Sequence, residues 1–131
     1  SDFSIILRIL QQAAAGLLSL HNQRVLHRDV GARNFLCDSK SNVVISDFGL
    51  AVQLGQLDVI TESMQMAPIP WMAPEAVLEG KHSTASDVYM FGSFMFEVFA
   101  RHPPWSSVIK AGDLKAIVEH LRHNRRPSMG D

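Results

Sequence analysis

Residues 85–100 read A-S-D-V-Y-M-F-G-S-F-M-F-E-V-F-A, a stretch with helical character that is apolar nearly all round. In water such a helix has to be buried, so the rest of the chain must supply a shell around it. Asp87 and Glu97 argue against a membrane helix, and a buried Asp87 is costly unless its carboxylate is hydrogen-bonded. Ser83 or Thr84 can cap the start, and R-H-P-P-W at 101–105 breaks the end. Upstream, apolar residues recur at Phe3, Ile6, Leu7, Leu10, Ala14, Leu17 and Leu18, the spacing of one helix face. Asp2 is the expected N-cap and H-N-Q at 21–23 the expected end. Arg8, Gln11 and Gln12 interrupt the run too early for a membrane span, so this helix is expected to pack on a core. A last helix is expected at about 111–123. Arg122, Arg125 and Arg126 lie at its C-terminal end, where cations suit the helix dipole, and they are expected to be solvated.

Between the helices the pattern changes. Residues 24–26, 35–37 and 43–46 are short β-rich pieces, and D-S-K-S-N at 38–42 is a turn. Residues 47–75 have weak periodicity, with Gly55, Pro68, Pro70 and Pro74 opposing a long helix. A loop of that length inside a compact unit is usually functional or mobile. A short helix is expected at 76–78 and a surface turn at 79–82. The 131 residues, 47% hydrophobic, suffice for one globular core, and a net charge of -1 gives no electrostatic footprint for nucleic acid or an anionic membrane. No signal-peptide pattern precedes the first apolar run. Cys37 is the only cysteine, which excludes an intrachain disulfide and a thiolate metal site and fits a reducing compartment. His120 and His123 share a helix face but lack a third ligand, so no metal site is expected there.

The loop among the short strands carries the chemistry. Residues 25–34 read V-L-H-R-D-V-G-A-R-N, and S-D-F-G follows at 46–49. Asp29, Asn34 and Asp47 are three polar groups able to converge on a metal-bound phosphate. The order H-R-D-x-x-x-x-N, then D-F-G, then A-P-E at 73–75 is that of a protein kinase. The chain resembles the protein kinase family, in its tyrosine-kinase-like branch. The resemblance covers most of a C-terminal lobe: residues 1–131 as a partial catalytic domain, with a catalytic loop region at 24–37 and an activation segment at 47–75. The fold it implies is mainly α (α+β), with short β pieces around the catalytic loop and the 85–100 helix at the centre. The N-terminal lobe is absent, since the glycines never form G-x-G-x-x-G. V-I-K at 108–110 only mimics the strand lysine motif, because it lies downstream of A-P-E, where the family has a helix.

The resemblance assigns roles residue by residue. Asp29 is the catalytic base, Asn34 and Asp47 hold Mg²⁺ against the phosphates of ATP, and Leu36 packs beneath the adenine. His27 packs with Phe48 of D-F-G, which Gly49 completes. Asp87 holds the catalytic-loop backbone, and Glu75 of A-P-E pairs with an Arg on a helix beyond Asp131, so here Glu75 is expected to lack its partner. The 85–100 helix is expected to lose part of its cover in the same way, exposing an apolar patch. Gly31 stands where serine/threonine kinases place a Lys, and Arg33 matches the A-A-R pattern of receptor-type tyrosine kinases. P-I-P-W-M-A-P-E at 68–75 resembles the tyrosine-kinase wall, with Pro70 in place of a Lys or Arg. Tyrosine is therefore the favoured acceptor.

In the family, Arg28 pairs with a phosphorylated activation segment. This segment has no tyrosine, Tyr89 being the only one in the chain, which leaves Thr61 and Ser63 as the expected phosphosites. The implied partners are a protein substrate and the N-terminal lobe of the same domain. No membrane segment is expected in the chain, and its expected place is the cytoplasm, or the cytoplasmic side of a membrane if it belongs to a receptor. An alternative reading is a pseudokinase or truncated kinase fragment acting as a binding module without catalysis. A small-molecule phosphotransferase fits less well, because A-P-E and the P-I-x-W-M wall form a peptide platform.

Overall fold

A computed structural model describes residues 2–129. The fold is mixed α+β, about half helical, with five helices and six very short strands among the described residues. Helix α1 (Asp2–Asn22) buries Leu10, Ala13 and Leu17, as its periodicity requires. Asp2, the expected cap, is the first described residue and is already helical. By length and composition alone α1 is apolar enough to cross a membrane. Its polar residues tie it instead to the strands beside it: Arg8 Nη2 donates to Asn42 Oδ1 at 3.2 Å, and the Val43 amide donates to Gln12 Oε1 at 2.7 Å.

Two of the strand pairs bracket the catalytic loop. Strand β1 (Val25–Leu26) pairs antiparallel with β4 (Val52–Gln53), and β2 (Phe35–Cys37) pairs with β3 (Val43–Ile45) in the register Phe35↔Ile45. The loop between β1 and β2 is thus pinned at both ends. The β2–β3 ladder continues past its last pair, where Ser46 N–H donates to the Asn34 carbonyl at 2.8 Å, so Asn34 and Asp47 lie at the same end of one hairpin.

Region 79–82 differs from the expected surface turn. Helix α2 (Pro74–Glu79) begins at the proline of A-P-E, where a missing N–H costs nothing, and runs through Glu79. Gly80 stops it in the left-handed region, φ 67°. The chain then doubles back, so that Lys81–His82 forms β6 against β5 (Ile60–Thr61). A Cβ at Gly80 would sit 3.0 Å from the Glu62 carbonyl oxygen, so the close approach also favours glycine.

Helix α3 (Thr84–Ala100) starts at Ser83 with a reciprocal capping box: the Ser86 amide donates to Ser83 Oγ at 3.3 Å and the Ser83 amide to Ser86 Oγ at 2.9 Å. Its burial is one-sided among the described residues. Met90 and Phe94 join Leu10, Ala13, Leu17, Val30, Met72, Ala73 and Ala76 in the main core, whereas Val88, Met95 and Phe99 turn outwards. The expected last helix is α5 (Leu114–Arg122), which Asp113 caps through the Ala116 amide, and a short helix that was not expected, α4 (Ser106–Lys110), precedes it, the two separated at Gly112 (φ 72°). Lys110 is helical, as its position downstream of A-P-E implies. Trp105, Ile117 and Leu121 make a second small core, and Arg122, Arg125 and Arg126 are exposed.

Candidate active site

The catalytic loop hangs from one buried carboxylate. Asp87 is fully buried on α3, and its oxygens accept from the amides of His27 (2.8 Å) and Arg28 (3.0 Å) and from His21 Nε2 (2.9 Å). These three donors satisfy a charge that would otherwise be costly to bury. They also hold Arg28 at φ 67°, the left-handed conformation that a side chain disfavours and that only well-determined surroundings maintain. His27 is buried as well. Its Nδ1 accepts from the Asp29 amide at 3.1 Å, so its proton sits on Nε2, which donates to the Ser46 carbonyl at 2.8 Å. The same ring meets Phe48 edge-on at 5.5 Å. One imidazole therefore ties the loop to the residues on either side of Asp47.

The loop then closes on itself. Asn34, buried in the 3-10 turn Ala32–Asn34, donates from Nδ2 to the Asp29 carbonyl at 2.6 Å, which leaves its Oδ1 as the available acceptor. Asp47 also has positive φ, 59°, and accepts the Gly49 amide on Oδ1 at 3.3 Å. Asn34 Oδ1 and Asp47 Oδ2 are hard oxygen donors of the kind Mg²⁺ takes when substrate phosphates complete its shell. Among the described residues no three His, Cys, Asp or Glu side chains cluster as a metal site.

Arg33 pairs with Asp29 Oδ1 and not with the other carboxylate oxygen. A Cβ at Gly31 would meet the Arg33 guanidinium, the far end of a flexible side chain, so a larger residue there asks the arginine to shift. The guanidinium lies 4.3 Å over the Trp71 ring, within cation–π range. Trp71 Nε1 donates to Glu97 Oε1 at 2.6 Å, the same oxygen accepts the Ala32 amide at 3.0 Å, and Ser93 Oγ donates to the Trp71 carbonyl. Glu97 thus joins the loop to the P-I-P-W wall, a role that sequence reasoning missed. The signal was present, since the argument that picked out Asp87, a carboxylate on an apolar helix, applies equally to Glu97. Pro70 is buried in the 3-10 turn Ile69–Trp71, where it contributes packing.

The remaining sequence-singled residues are more scattered. Leu36 lies on β2 opposite Val44, both exposed. Thr61 and Ser63 are exposed in the segment, on either side of Glu62. Glu75 makes no ion pair among the described residues; it lines an open cleft of about 610 Å³ with Tyr89, Arg122 and Arg126. Burial, more than its neighbouring charges, pushes the Tyr89 phenol above its ordinary value.

The family description for protein tyrosine and serine/threonine kinases matches residues 2–130. The chain belongs to the protein kinase family. It is 40% identical over 126 residues to the inactive tyrosine-protein kinase kin-32 of Caenorhabditis elegans, covering 92% of this chain and 14% of that protein. To the discoidin domain-containing receptor tyrosine kinase B of the same organism it is 48% identical over 93 residues, 70% of this chain and 12% of the relative. To the mitogen-activated protein kinase kinase kinase ANP1 of Arabidopsis thaliana it is 34% identical over 108 residues, 82% of this chain and 16% of the relative. This kinase chain therefore spans only a small part of each of these proteins.

Proposed function

We propose that the domain containing this chain is an ATP-dependent protein kinase that transfers the γ-phosphoryl group to a protein hydroxyl, with tyrosine the favoured acceptor. The observation that carries the reading is the loop itself: Asp29 and Asn34 are locked together by the Asn34–Asp29 hydrogen bond, with one oxygen of each left unpartnered by the chain. Asp29 takes the acceptor hydroxyl proton as that oxygen bonds to phosphorus and the bond to ADP breaks. Arg33 holds the carboxylate in place. Asn34 and Asp47 hold Mg²⁺, which neutralises phosphate charge when bound. Leu36, exposed beside Val44, supplies an apolar floor for the adenine, and the N-terminal lobe of the same domain covers the phosphates from above.

The preference for tyrosine rests on Gly31, which stands where serine/threonine kinases place a Lys, and on Arg33, whose guanidinium pairs with Asp29. The similarity to discoidin domain-containing receptor tyrosine kinase B supports it, while ANP1 is not named as a tyrosine kinase. A cytoplasmic setting, or the cytoplasmic face of a membrane for a receptor, fits the single cysteine. Thr61 and Ser63 are the segment hydroxyls open to a regulating kinase.

A second reading, a binding module without catalysis, is favoured by the similarity to kin-32, whose name records it as inactive. Incubating the full-length protein with Mg-ATP and matched tyrosine and serine peptides separates the readings. Tyrosine phosphate formation is expected; transfer to serine alone overturns the acceptor assignment, and no transfer favours the binding module.

A further inference from the structure

Arg28 and Glu62 form a contact that the reaction just described does not use. The Arg28 side chain is 6% exposed, and its Nη1 donates to Glu62 Oε1 at 2.7 Å. Its position is fixed from the other end, since the Arg28 amide is held by Asp87 and its Nε donates to the Leu50 carbonyl at 2.8 Å. Glu62 is fixed as well: its amide donates to the Gly80 carbonyl at 2.8 Å, and its carbonyl accepts from His82 Nε2 at 3.0 Å. Among the described residues Glu62 is the one carboxylate in ion-pair reach of Arg28. A nearly buried guanidinium needs an anion, and this segment supplies it from its own sequence.

We propose that Glu62 is a positioning residue whose carboxylate locks the activation segment onto Arg28, so that the segment is ordered for catalysis without phosphorylation. The inference rests on the kinase reading and extends it to regulation. Two further observations point the same way. No tyrosine lies in the segment. Thr61 and Ser63 stand on either side of Glu62, whose carboxylate already pairs the guanidinium, so a phosphoryl group on either would add a second anion beside a contact already made. Phosphorylation there modulates an ordered segment and is not required to create one.

The test uses the full-length protein, treated with phosphatase until mass spectrometry shows Thr61 and Ser63 bare. Peptide phosphorylation and amide exchange are then measured for wild type, Glu62→Gln and Glu62→Asp. Bare wild type is expected to keep its activity. Glu62→Gln is expected to lose roughly tenfold in kcat, the equivalent of one charge-assisted hydrogen bond, with the KM for ATP unchanged and the Glu62 amide exchanging faster. Glu62→Asp is expected to recover part of both losses. Loss of activity on dephosphorylating wild type, or a Glu62→Gln protein unchanged in rate and exchange, overturns the proposal. If wild type transfers no phosphate at all, the kinase reading fails separately, and the exchange comparison still decides whether Glu62 locks the segment.

Discussion

Replacing Asp87 by Asn tests whether one buried carboxylate suspends the catalytic loop. The native side chain meets three donors and no acceptor: the His27 amide, the Arg28 amide and His21 Nε2. An Asn amide offers one acceptor oxygen to these donors, and its own NH₂ faces a fully buried site lined by N–H groups. At least one donor is stranded, and every surviving bond loses its charge. A hydrogen bond to a charged group contributes about 1.5–3 kcal/mol, so losing the equivalent of two costs about 3–6 kcal/mol, overlapping the ~3–5 kcal/mol range for breaking a buried charged contact. That is a large share of the ~5–15 kcal/mol that holds a domain together. Urea unfolding of the purified domain is expected to show a lower midpoint at constant m-value, with faster exchange at the His27 and Arg28 amides. Asp58→Asn is the control, because Asp58 is 97% exposed and pairs loosely with Arg24 at 3.8 Å. A loss below about 0.5 kcal/mol for Asp87→Asn, the level of an ordinary surface change, would refute the reasoning.

Three further outcomes follow from the geometry. Glu97→Gln weakens both bonds of the oxygen shared by Trp71 and Ala32; the KM for peptide should rise about tenfold while the KM for ATP holds, and an unchanged peptide KM counts against the coupling. Gly31→Lys displaces the Arg33 guanidinium from Asp29, and kcat/KM for a tyrosine peptide should fall by about tenfold or more; full retention of tyrosine transfer would contradict the pairing of these two residues. The Arg28 hydrogen bond, ahead of the Arg28 charge and a smaller pull from His82, holds the Glu62 carboxyl below its ordinary value. A lowered carboxyl favours the folded state at pH above that ordinary value, and the contribution is lost as pH falls through the lowered one. Protection of the Glu62 amide should therefore stay flat from neutral to about pH 5 and decline only in more acid solution; loss already above pH 5 would exclude the pair.

The parts of this fold that are local in sequence were legible in it. Helix α1, a helix cap at Ser83 or Thr84, the hairpin turn at 38–42 and the Asp29–Asn34 loop each follow from neighbours a few residues apart, whose spacing fixes their geometry. Asp87 was also legible, because a lone carboxylate on an apolar helix has to find donors. What was not legible depends on distant partners. The β5–β6 pair is two residues on each side, and it exists because Gly80 turns the chain back onto Glu62. Helix α4 was hidden because its five residues, between R-H-P-P-W and Gly112, are too few to show a helical period. Trp105 reads as the end of a helix until Ile117 and Leu121 fold onto it. The one-sided burial of α3 shows the limit of periodicity: an apolar surface predicts that cover is needed, without saying what supplies it. Glu62 was missed for a related reason, since it works across a contact that only the folded chain creates, whereas Glu97 carried the same signal as Asp87 and was passed over.

The account stands most directly on Asp29, whose free oxygen is to take the acceptor proton while Asn34 and Asp47 hold the metal. The deciding measurement is on the complete domain carrying Asp29→Asn: Mg-ATP affinity by calorimetry and phosphate transfer to a tyrosine peptide, on the same preparation. Wild-type affinity with transfer abolished is the result predicted. Transfer at the wild-type rate, or loss of Mg-ATP binding together with transfer, would contradict it.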